Sequence, residues 1–138
     1  TFRPINALPF AKVFPNGKIE ELSNHEKKSG KKAEADTRFE TKIALLKAYP
    51  GSDPSIIEWY LSKGFRGLVI EATGLGHVPT STPEKERSWT PYIRMATEKG
   101  VPVVFAAQTL YGSLNMHVYK NQRLALQAGA IDGKDMLP

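Results

Sequence analysis

Residues 43–70 read IALLKAYPGSDPSIIEWYLSKGFRGLVI, two short apolar runs on either side of a segment with the marks of a helix. Ile43-Ala44-Leu45-Leu46 is bounded by turn-forming residues and has the unbroken apolarity of a strand buried on both faces. Asp53 followed by Pro54 pairs a favoured N-cap with a favoured first helical residue. Ile56, Ile57, Tyr60 and Leu61 then recur at helical spacing until Gly64 ends the run. Gly67-Leu68-Val69-Ile70 supplies a second strand.

The alternation continues toward the C-terminus. Thr90-Pro91 is expected to cap a helix carrying Ile93, Met95 and Ala96 and ending at Gly100. Val101 to Ala107 follows as a third strand, and Asn121 to Ala128 as a helix closed by Gly129. Strands separated by helices need crossover connections, which place them parallel in one sheet, here expected with helices on both faces. The fold class is therefore α/β with an open, mainly parallel sheet. In such a sheet function gathers in the loops at the carboxyl ends of the strands, here Lys47 to Asp53, Glu71 to Pro79 and Gln108 to Asn115.

Toward the N-terminus the pattern differs. Phe10, Val13 and Phe14 face Ile19 and Leu22 across Pro15-Asn16-Gly17, the strongest short signal for a β-hairpin. Ser23 to Arg38 is polar and mixed in charge: His25, Lys27, Lys28, Lys31 and Lys32 stand among Glu26, Glu34 and Asp36. Lacking interleaved aromatic residues, it reads as a solvated connector rather than a nucleic-acid surface.

The 138 residues carry a formal charge of +5 and no cysteine. Zinc ribbons, thiol redox chemistry and cysteine nucleophiles are thereby excluded, and the charge alone would suit an anionic partner. No apolar run reaches the roughly 18 residues of a membrane span, and no signal-peptide pattern opens the chain. Thr1, where a methionine would be usual, suggests a processed product or a fragment.

Few residues offer chemistry. Gly74-Leu75-Gly76 lacks the third glycine and the immediate helix of a dinucleotide-binding turn. His25, His77 and His117 stand apart from any metal-ligand spacing, and no Gly-x-Ser-x-Gly elbow is present. An N-terminal nucleophile at Thr1 is opposed by Pro4, which a buried strand would not accommodate. His77 sits in a glycine loop where a strand ends, and there it either donates to a substrate carboxylate or carbonyl or bonds to local backbone. Gln108 and Asn115 carry the same alternative. Trp59 and Tyr60, on a helix, read as core or interface.

These loops resemble a known family. Residues 63–79, KGFRGLVIEATGLGHVP, are joined by Gln108-Thr109-Leu110-Tyr111-Gly112-Ser113-Leu114-Asn115-Met116 with Tyr119. Ala128-Gly129-Ala130-Ile131 then leads to Asp135-Met136-Leu137-Pro138. Together these motifs resemble the bacterial-type L-asparaginase superfamily, in particular the D-type subunit of archaeal glutamyl-tRNA(Gln) amidotransferase. The opening Thr1-Phe2-Arg3-Pro4-Ile5-Asn6 and the hairpin look like the segment joining that family's two domains. Ala72 and Ser113 stand where the family usually has glycine and arginine.

The resemblance implies a three-layer α/β/α domain at residues 40–138, truncated at its end. It is preceded at 1–39 by a hairpin and connector joining it to an N-terminal domain outside this sequence. It implies a parent that hydrolyses glutamine or asparagine, the ammonia converting glutamate on tRNA(Gln) into glutamine. A partner subunit would bind tRNA, ATP and Mg, and no cofactor or metal would lie in this segment. The family's nucleophilic threonine, its Thr-Asp pair and its lysine belong to the preceding domain, so no catalytic residue is expected here. A cytoplasmic homodimer is implied, in which this domain lends loops to its neighbour's site. His77 falls where bacterial asparaginases carry a substrate-contacting asparagine, and Gln108, Tyr111 and Asn115 would shape the adjoining loop. A stand-alone L-asparaginase, or a non-catalytic dimerisation or binding domain, are the alternatives.

Overall fold

The computed structural model describes residues 4–24 and 29–138. Thr1 and the connector residues His25, Lys27 and Lys28 lie outside them. The backbone divides into two compact units, Thr1–Phe39 and Glu40–Pro138.

In the first unit, β1 (Ala11–Val13) pairs antiparallel with β2 (Ile19–Glu21), Val13 opposite Ile19. The turn forms as its residues dictate. Gly17 takes a positive φ of 82°, Asn16 Oδ1 accepts a hydrogen bond from the Lys18 amide at 3.1 Å, and the Phe14 amide donates to the Lys18 carbonyl. The described residues from Ser29 to Phe39 are exposed and outside any helix or strand.

The second unit is α/β. Strands β3 (Ile43–Lys47), β4 (Gly67–Ala72), β5 (Val103–Ala107) and β6 (Ile131–Asp132) form one parallel sheet in chain order. Helices α1 (Ile56–Ser62), α2 (Trp89–Glu98) and α3 (Lys120–Gln127) make the crossovers. When each strand is added beside the last, right-handed crossovers all pass over the same face. Helical residues Ile57, Ile93, Ala96 and Ala125 accordingly share one core with sheet residues Ala44, Leu46, Leu68, Ile70, Val103 and Phe105.

Among the described residues α1, α2 and α3 pack against one face of the sheet. Across the other runs a register row of Leu45, Val69, Val104 and Ile131, of which Leu45 is 56% and Ile131 49% exposed. It follows that β3 is an edge strand that alternates: Ala44 and Leu46 are buried, Ile43 and Leu45 are not. The third strand begins at Val103, two residues later than its apolar run, and β6 is an addition too short to announce itself by periodicity.

The helix starts are local chemistry. Asp53 Oδ1 accepts from the Ser55 amide at 2.9 Å, and the Pro54 carbonyl accepts from Ile57, so the first turn opens at Pro54 ahead of α1 proper. Helix α2 starts at Trp89, one residue before Thr90. Ser88, extended at φ −74° and ψ 128°, occupies the cap position, and its hydroxyl donates back to the Thr80 carbonyl at 2.9 Å. Pro91 sits within the first turn, where no helical N–H partner is needed.

Candidate functional site

Where β4 ends, the chain closes on itself. The His77 amide donates to the Thr73 carbonyl at 2.8 Å and the Thr73 amide to the His77 carbonyl at 3.0 Å, forming an isolated antiparallel bridge. The Thr73 hydroxyl donates to the same His77 carbonyl at 3.2 Å. Inside this small loop Gly76 has φ +109°, and a Cβ there would stand 2.9 Å from Cγ of the fully buried Met116. Only glycine allows the loop to turn this way while lying on Met116.

The loop is also tied outward. The Leu75 carbonyl accepts from the Asn115 amide at 3.1 Å and from Gln122 Nε2 at 2.7 Å. His77, half-buried, emerges with its ring 5.2 Å from the ring of Tyr119, tilted by 44°. Beside it is a cavity of about 360 Å³ between the ends of β3 and β4 and the start of α3, its walls including Tyr49, Pro50, Thr73, His77, Pro79 and Asn121. An imidazole, two hydroxyls and a carboxamide can hydrogen-bond a small polar ligand. Among the described hydrogen bonds none joins a hydroxyl to an imidazole nitrogen, the pairing that activates a hydroxyl nucleophile. Among the described residues no cluster of three or more His, Asp or Glu could hold a metal ion.

The remaining sequence candidates are placed differently. Gln108, just past β5, directs Nε2 at the Ala48 carbonyl and at the Glu71 carbonyl, 2.8 Å away, so its amide staples the ends of β3 and β4. Tyr111 is exposed. Asn115 supports the loop through its backbone, while its side chain accepts from the His117 amide at 3.4 Å and borders a separate cavity with Ser113, Asp132 and Lys134. His77 is thus the one of the four on the cavity between β3 and β4. Tyr49, Asn121 and Gln122 were missed by sequence reasoning. Tyr49 lay in one of the three loops singled out, and Gln122 had a weak signal: an amide at the helical position that shares Ala125's buried side.

Charge near the strand ends is modest. Lys47 Nζ lies 3.3 Å from the Glu71 carboxylate. Asp53 is held below the usual aspartate range, first by the Ser55 backbone amide, then by the Ser55 hydroxyl, and also by Arg87. No helix among the described residues is long and apolar enough to cross a membrane.

Comparison with known proteins agrees with this fold. The glutaminase/asparaginase C-terminal domain family matches residues 42–138. The D-type subunit of a glutamyl-tRNA(Gln) amidotransferase from Pyrococcus horikoshii is 46% identical over 99% of this chain, which spans 30% of that relative's length. The L-asparaginase I structure from Vibrio cholerae is 27% identical with a TM-score of 0.80, covering 96% of this chain and 38% of its own. The thermostable L-asparaginase of Thermococcus kodakarensis is 26% identical with a TM-score of 0.76, covering 98% of this chain and 39% of its own.

Proposed function

Because the chain belongs to the glutaminase/asparaginase C-terminal domain family, we propose that it is the accessory half of an amide-hydrolysing site. In this reading it belongs to an amidotransferase subunit that releases ammonia from glutamine or asparagine to amidate glutamate carried on tRNA(Gln). The reading rests on 46% identity along nearly the whole chain to an amidotransferase subunit, against 26% and 27% to the two asparaginase structures. A threonine acyl-enzyme is formed by residues outside residues 1–138, and a partner subunit binds tRNA, ATP and Mg. The setting is cytoplasmic, and pairing of two asparaginase-like subunits brings the loop of one to the catalytic centre of the other.

The observation that carries the site assignment is His77, fixed at the carboxyl end of β4 by a loop closed on itself and facing a cavity of largely apolar walls to which Tyr49, Thr73 and Asn121 add polar groups. Its imidazole orients the substrate amino acid. Gln108, Tyr111 and Asn115 shape the neighbouring loop, Gln108 through the strand ends and Asn115 through Leu75. In the complete protein, His77→Ala should raise KM for glutamine about 10- to 100-fold, the scale of one hydrogen bond to a charged group. An unchanged kcat and KM would remove His77 from the site. Dependence of glutamine hydrolysis on charged tRNA would favour the amidotransferase, and independence the stand-alone asparaginase.

A further inference from the structure

We infer that Gln122 is the positioning residue that sets His77 against Tyr119 and fixes the width of the cavity, although it lies on another element from His77. This rests on the reading of His77 as a substrate-orienting group. Gln122 is fully buried at the third position of α3, where its side chain completes a capping box with Tyr119. Burying a carboxamide is costly unless both of its ends are bonded. Both are: Oε1 accepts from the Tyr119 amide at 2.8 Å, and Nε2 donates to the Leu75 carbonyl at 2.7 Å.

The two residues so joined are those that define His77's surroundings. Leu75 lies inside the loop that the Thr73 and His77 backbones close, so an anchor on its carbonyl fixes the loop as a unit. Tyr119 carries the ring that stands 5.2 Å from the imidazole. One side chain thus holds both ring partners in register. Asn121, immediately before Gln122, lines the cavity opposite the loop, so the same amide sets the separation of Asn121 from His77. The Asn115 amide also bonds Leu75, but from the segment before Tyr119, and leaves the link to α3 to Gln122.

The test uses the complete natural protein that carries this segment. Gln122→Met keeps the volume and removes both bonds. Gln122→Glu keeps the acceptor for Tyr119 but sets a carboxylate oxygen against the Leu75 carbonyl. The first readout is the His77 imidazole proton resonance, with Tyr119→Leu reporting how much of its shift comes from the tyrosine ring. Both Gln122 variants should move the resonance in the direction that Tyr119→Leu moves it. Gln122→Met should also raise KM for glutamine about 2- to 10-fold with little change in kcat, and should add nothing once His77 is alanine. A His77 resonance unmoved in both variants overturns the inference. So does a KM effect that persists undiminished in the His77→Ala background. Should His77→Ala itself leave the kinetics unchanged, the functional reading fails, while the resonance still decides whether Gln122 positions His77.

Discussion

Replacing Gly76 with alanine tests whether the His77 loop is as tightly held as its contacts indicate. Two costs add. The first is conformational, because φ +109° is a region that side chains rarely adopt, with a strain of about 1–3 kcal/mol. The second is steric. The new Cβ would lie 2.9 Å from Met116 Cγ and 3.7 Å from its sulfur, and Met116 is fully buried, so it has little room to yield. Overfilling of this kind costs about 1–3 kcal/mol. The total is about 2–6 kcal/mol by these two ranges. Gly100→Ala supplies the control, since Gly100 also has a positive φ, 74°, but a Cβ there meets nothing within 4 Å, leaving only a backbone cost of about 1–2 kcal/mol. Urea unfolding followed by fluorescence of the buried Trp89 measures both variants. Equal costs for the two would refute the packing argument, because Met116 would then be yielding freely and the loop would not be wedged on it.

Asp53 and Thr97 make two further tests. The Asp53 carboxyl is held low in the fold, so its stabilising bond to Ser55 is fully present above the unfolded value and is lost as pH falls through the lower, folded value. Carboxyl titration by NMR should therefore find Asp53 half-protonated below an ordinary aspartate, with the first turn of α1 loosening at that pH, and Asp53→Asn should abolish the local acid transition. Thr97 donates its hydroxyl to the Ala128 carbonyl at 2.8 Å, linking α2 to the end of α3. Thr97→Val, equal in shape, should cost about 1–3 kcal/mol in urea unfolding by leaving that buried acceptor without its donor.

Local rules written in short-range chemistry were legible in the sequence. Asn16-Gly17 turned the hairpin, Asp53-Pro54 opened α1, and Gly64, Gly100 and Gly129 closed helices with positive φ. What could not be read is set by distant parts of the chain. Ile43-Ala44-Leu45-Leu46 is equally apolar whether one face or two are covered, and only the order of strands in the sheet decides it. Candidate side chains met the same limit. Gln108 and Gln122 are both amides, and whether an amide meets a ligand or a backbone carbonyl depends on partners far away in sequence, 60 residues for Gln108 and Ala48, 47 for Gln122 and Leu75. His77 was easier to find because a glycine-rich loop at a strand end is itself a sequence signal. Its tilt against Tyr119 was not, for that ring arrives from beyond the next strand.

The order of the parallel strands bears on how the domain is made. Among the described residues, each of β3 to β6 pairs only with strands immediately before or after it along the chain. No strand must wait for a later one to be inserted between it and its neighbour, so the sheet can grow in the order in which a ribosome delivers it. β3 and β4 with α1 between them form a first unit, and each later helix and strand adds to an edge already formed. Assembly by accretion keeps loop closures short for a parallel sheet. The His77 loop leaves the ribosome well before Tyr119 and Gln122, so it meets these partners only once α3 has been made.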